Sequence, residues 1–100
     1  MTVDIKEMDG KTVVIVNGEL DTLASEEFQK AVAPLMGKEG LKVEIDMAGV
    51  DYISSKGLRV ILALAQSIMP IGGKLTVVNT TLPVRQVFDI SGFSTLFIVQ

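Results

Sequence analysis

Two adjacent hydroxyls, Ser54 and Ser55, stand where an alternating apolar run ending at Met47 gives way to a helical apolar pattern beginning at Leu58. Lys56, Gly57 and Arg59 follow them directly. A serine at such a junction can cap the helix, its oxygen accepting an N–H that the first turn leaves unpaired, while its neighbour fills the turn. Alternatively it can receive a phosphoryl group, which adds about −1.5 to −2 charges at pH 7 where free N–H groups and the helix dipole best tolerate them. That charge would fall on whatever docks over the turn, through desolvation and repulsion of a partner's acids, so the switch would act on binding rather than on folding. The residues by themselves leave both readings open.

The carboxylates offer less. Glu19 and Asp21, two apart at a strand end, suit either acid/base work or a divalent cation, but equally a helix cap beside a solvated acid. Asp46 and Asp51 flank the turn after the third predicted strand, where α/β folds hold magnesium, yet no phosphate-cradling GxxxxGK[ST] loop accompanies them. Cys and His are absent, which excludes thiol and imidazole catalysis, their metal sites and disulfides. The 9 basic residues are scattered singly from Lys6 to Arg85 against 12 acids, a formal charge of −3, so nucleic acid has no footprint. No enzyme, cofactor or metal centre is expected.

These residues need a scaffold, and periodicity supplies one. Val3 and Ile5 alternate with polar neighbours, Asp9-Gly10 is a tight-turn pair, and Thr12 to Val16 is β-branched and apolar, which predicts an N-terminal β-hairpin. Asp21 or Thr22 caps a helix whose stripe is Ala24, Phe28, Ala31, Val32 and Leu35, with Pro34 ending or kinking it. Leu41, Val43, Ile45 and Met47 alternate as a strand. The second helix runs from Ser54-Ser55 to about Ser67, with Leu58, Ile61, Leu62, Ala65 and Met69 inward and Val60 and Leu64 widening the stripe. Lys74 to Val78 is a strand, Pro83 to Ser91 a helix capped by Thr80 or Thr81 with Val84, Val87 and Phe88 inward and Gly92 closing it, and Leu96 to Val99 a last strand. The order ββαβαβαβ predicts one α/β domain over residues 1–100: a mixed, mostly parallel sheet with an N-terminal hairpin and helices packed against it. The longest apolar run, Val60 to Ala65, is far too short to cross a bilayer, and Met1 to Lys6 lacks the opening of a secretory signal. A cytoplasmic protein without membrane insertion is expected.

The run Val50-Asp51-Tyr52-Ile53-Ser54-Ser55-Lys56-Gly57-Leu58-Arg59-Val60-Ile61-Leu62 resembles the signature of the STAS domain family, named for sulphate transporters and anti-sigma factor antagonists. Gly18-Glu19-Leu20-Asp21 is similar to its GELD segment, Val43 to Gly49 to its third strand, and Val84 to Phe93 to its penultimate helix and turn. The resemblance implies a STAS-like fold and a bacterial anti-sigma factor antagonist acting by partner switching. In such a system the unphosphorylated form binds and sequesters a GHKL-type serine kinase that doubles as anti-sigma factor, which releases a sigma factor. The kinase inactivates its antagonist by phosphorylating one serine, and a PP2C-like serine phosphatase restores it. Alignment on Gly57-Leu58 puts that serine at Ser55, while Ser54 takes the place where many members carry an aspartate. The alternative implied by the same family is an accessory module of a membrane-transport or lipid-trafficking complex, binding protein or a small ligand.

For the partner surface, the expectation is the turn of Ser54, Ser55, Lys56, Gly57 and Arg59 with Glu19, Asp21 and Thr22 brought to the same strand-end side, a reversible interface of about 1,200–2,000 Å². The family pattern usually continues with a further helix, whereas this sequence stops at Gln100. One sheet face is therefore expected to be less covered and open to self-association, as in a homodimer, or to a partner.

Overall fold

The structure, a computed structural model, describes residues 1–100. Strands β1 (Thr2–Met8) and β2 (Lys11–Asn17) form the predicted hairpin, closed by Asp9-Gly10. Both turn residues have positive φ, 53° and 78°, the mirror-image two-residue turn whose twist matches an antiparallel pair. Gly10 adopts it freely because it lacks a Cβ, and aspartate tolerates it better than most side chains.

Helix α1 (Thr22–Val32) starts at Asp21, whose Oδ1 accepts the Ala24 N–H at 2.8 Å, so Asp21 rather than Thr22 is the cap. Pro34 stops the α-helix by lacking an N–H, and the chain continues as a 3-10 turn, Ala33–Leu35, that still buries Leu35. Strand β3 (Lys42–Gly49), helix α2 (Ser55–Ile68), strand β4 (Lys74–Val78), helix α3 (Leu82–Ser91) and strand β5 (Ile98–Val99) follow. The sheet order is β1-β2-β3-β4-β5, with β1 antiparallel to β2 and every later pair parallel.

Val14, Val16, Val43, Ile45, Met47, Leu75, Val77 and Val99 project from one side of the sheet and join Phe28 and Val32 of α1, Leu58, Ile61 and Leu64 of α2, and Val84 and Phe88 of α3 in a single core of 23 buried residues. All three helices thus lie on that side. The opposite face carries Ile15, Glu44, Asp46, Thr76 and Val78, all half-buried, and the exposed Ile98. Val13, paired with Lys6 and Glu44 on this open face, is buried yet belongs to no core cluster.

Some expected details differ. Met69 is exposed and Ile68 buried instead, because α2 ends at Ile68 and Pro70 turns the next residues into a 3-10 turn, Met69–Ile71. Neither Thr80 nor Thr81 caps α3 with its side chain. The Thr81 hydroxyl donates to the Val50 carbonyl at 2.7 Å and that of Thr80 to the Gln100 carbonyl at 2.8 Å, so tertiary bonds take both. Leu96 lies in the exit from a 3-10 turn, Phe93–Thr95, and the last strand is only Ile98–Val99.

Candidate functional site

The connections that follow β2 and β3 lie side by side at the carboxyl ends of those strands. Leu20 and Ile53 form an isolated parallel bridge: the Leu20 N–H donates to the Tyr52 carbonyl at 2.9 Å and the Ser54 N–H to the Leu20 carbonyl at 2.8 Å. Gly18 N–H reaches the Gly49 carbonyl at 2.9 Å just before. The sequence therefore brings Glu19, Asp21 and Thr22 beside the Ser54–Arg59 turn through backbone hydrogen bonds rather than through any pairing of their charges.

The two serines part company there. Ser54 is buried and caps α2, its Oγ accepting the Gly57 N–H at 3.2 Å while its carbonyl accepts the Leu58 N–H at 3.0 Å. Its Oγ also lies 3.2 Å from Oγ of the fully buried Ser25, whose own proton goes to the Asp21 carbonyl at 2.6 Å. Each hydroxyl has one proton, so the order of donation is fixed: Ser54 to Ser25, Ser25 to the Asp21 carbonyl. This chain of buried bonds locks the start of α1 to the start of α2. Gly57 permits the approach, since a Cβ there would sit 2.9 Å from Ile53 Cγ1 and 3.1 Å from Ser25 Oγ.

Ser55 is the first helical residue and is exposed. Its N–H and that of Lys56 meet no protein acceptor, leaving two donors of the first turn free beside its hydroxyl. The Lys56 ammonium bridges to Glu26 Oε1 of α1 at 2.9 Å, and that hydrogen bond, with the attraction of the charge, holds the Glu26 carboxyl below its ordinary range. Arg59, one turn further along α2, is exposed and has no carboxylate partner. Lys56 and Arg59 border a groove of about 480 Å³ between α1 and α2, whose apolar walls include Val32, Met36, Val60 and Ala63.

Of the expected partner-facing residues, Glu19, Asp21, Thr22, Ser55 and Arg59 are exposed, Lys56 is half-buried, and Ser54 and Gly57 are buried. Asp21 is committed to its cap. Asp46 accepts the Ala48 N–H at 3.0 Å, and no group of three or more carboxylates converges. Sequence reasoning missed the Ser25 link and the groove. The signal for the first was present: a serine one turn after the cap and a glycine on α2 are the small residues that closely approaching helix starts require. No helix is long and apolar enough to cross a membrane.

Known proteins share this fold. A family model described as the STAS domain matches residues 2–100. BtrV of Bordetella bronchiseptica, assigned as an anti-sigma factor antagonist, is 32% identical over 97 residues, covering 97% of this chain and 84% of that protein. A crystal structure of an anti-sigma factor antagonist from Mycobacterium paratuberculosis superposes with a TM-score of 0.84 at 21% identity, over 98% of this chain and 83% of the other. The Bacillus cell fate determinant SpoIIAA, solved in its phosphorylated form, gives a TM-score of 0.75 at 17% identity, over 99% of this chain and 91% of that one. At such identities the two structures speak for the fold.

Proposed function

This chain belongs to the STAS domain family, and we propose on that premise that it is an anti-sigma factor antagonist switched at Ser55. Unphosphorylated, it binds and sequesters an anti-sigma factor that is itself a GHKL-type serine kinase, and so releases a sigma factor. Phosphorylation of Ser55 by that kinase ends the complex, and a PP2C-like phosphatase restores it. The chain is a regulator that works by docking.

The observation that carries this reading is the division of labour between the two serines. Ser54 holds the helix, so the hydroxyl of Ser55 is free for a kinase, and modifying it costs the fold no hydrogen bond. A phosphate there lies at the positive end of α2, where the domain tolerates it, and is a desolvated like charge to an acidic partner surface. Glu19, Thr22, Lys56 and Arg59 complete the contact surface, whereas Ser54 and Gly57 shape it from beneath.

The test is to incubate the chain with its anti-sigma factor kinase and ATP and to locate the added mass of one phosphate by fragmentation. Ser55→Ala should bind the kinase without being modified, and Ser55→Asp should bind at least about tenfold more weakly with an unchanged melting curve, a difference of about 1.4 kcal/mol. Equal binding of wild type and Ser55→Asp, or phosphate on a different residue, refutes the switch. A chain that binds no anti-sigma factor in either state returns the transport-accessory reading to first place.

A further inference from the structure

We propose that Arg59 is the internal partner of the phosphate on Ser55, so that phosphorylation withdraws a cation from the docking surface as well as adding negative charge to it. This rests on the reading of Ser55 as the modified residue. Ser55 and Arg59 are the first and fifth residues of α2. Residues four apart share a helix face, with β-carbons about 5–6 Å from one another. Both side chains are exposed and neither is engaged: Ser55 makes no side-chain hydrogen bond, and Arg59 has no carboxylate partner, unlike Lys11, Lys56 and Arg85. A phosphoserine tethered at the first position reaches a guanidinium one turn on, and the planar fork donates to two phosphate oxygens at once.

The competing cation is disposed differently. Lys56 follows Ser55 directly and is thus turned about 100° round the helix, and its ammonium is already held by Glu26 at 2.9 Å. Of the two cations at this turn, only Arg59 combines the right helical phase with a free charge. In the unmodified chain it borders the α1–α2 groove and is available to a carboxylate on the docking partner. Once the phosphate takes it, that carboxylate loses its counter-ion and meets the residual negative charge.

The experiment needs no partner. Phosphoserine is installed at position 55 of the full chain during synthesis, and the second ionisation of the phosphate is followed by phosphorus NMR. A free phosphoserine titrates near pH 6, and a paired one lower. In the wild-type sequence the transition should lie below that value, and Arg59→Gln should raise it by about half a pH unit or more. Lys56→Gln should move it much less, while Glu26→Gln, by freeing Lys56, should lower it further. The carboxylates of Glu19, Asp21 and Asp51 are common to all variants, so their repulsion cancels in the comparison. Melting curves confirm that each variant is folded. Identical titrations for wild type and Arg59→Gln overturn the proposal, as does an equal response to Lys56→Gln. Should the phosphate titrate as expected while the unmodified chain binds no anti-sigma factor, the pairing stands and the functional reading falls.

Discussion

Ser54 accepts from Gly57 and donates to Ser25, and these bonds leave it nothing to offer a partner. Ser54→Ala removes the cap and orphans part of a buried polar pair, so it should cost about 1–2 kcal/mol by urea denaturation. Ser55→Ala, at an exposed position without side-chain bonds, should stay within about 0.5 kcal/mol of wild type. An equal loss in the two variants would contradict the division between them. A serine at position 54, where the family resemblance implies an aspartate, also has a chemical meaning. A serine supplies the proton that Ser25 Oγ accepts, whereas a carboxylate has none, and Ser25 would have to turn its own proton away from the Asp21 carbonyl. Two hydroxyls at the start of a helix were legible in the sequence. Which one caps was not, because the answer depends on a one-residue phase and on Ser25, 29 positions earlier in the chain.

Helix α1 shows what spacing reveals and where it fails. Phe28 is fully buried in the core and Leu23, on the other side of the same helix, is 74% exposed. Phe28→Ala should therefore cost about 3–5 kcal/mol, and Leu23→Ala no more than about 0.5 kcal/mol, in the same denaturation measurement. The hairpin turn, the Asp21-Thr22 start of α1 and the apolar stripes were legible because each is a local rule applied to neighbouring residues, whereas the choice of Asp21 as the cap came from the structure. Carrying the α2 spacing one residue too far places Met69 in the core. The helix yields to Pro70, and Ile68 fills the place instead. Thr80 and Thr81 depart from the expected cap for another reason: their hydroxyls answer carbonyls at Gln100 and Val50, 20 and 31 residues away, which local spacing does not register. The groove beside Arg59 was invisible for the same reason, since it exists only once two helices pack.

Across the whole molecule, charge is handled at the surface. Glu26 is held below its ordinary value near 4.5 by Lys56, and Asp89 below its ordinary value near 3.8 by hydrogen bonds from Ser94 and Arg85. A depressed carboxylate stabilises the fold above its unfolded value and loses that contribution as pH falls through the folded one. Lys11 is raised above 10.5 by its hydrogen bond and attraction to Glu44, so its contribution is complete below that value and is lost as pH climbs through the higher folded one. Stability should thus be level between these limits and decline below about pH 4.5, and salt should weaken these exposed pairs. Urea midpoints measured at neutral and acid pH check this: Glu26→Gln should lose less on acidification than wild type, and an equal loss would remove the Lys56–Glu26 pair as a cause. The one-after-another strand order has a different consequence, in time. Each strand pairs with its predecessor in sequence, so during synthesis the hairpin can close first and every later strand finds its place already built. A sheet built in this order grows at one edge while β1 remains the other, so an incomplete chain has no gap in the middle of its sheet for a neighbouring polypeptide to invade.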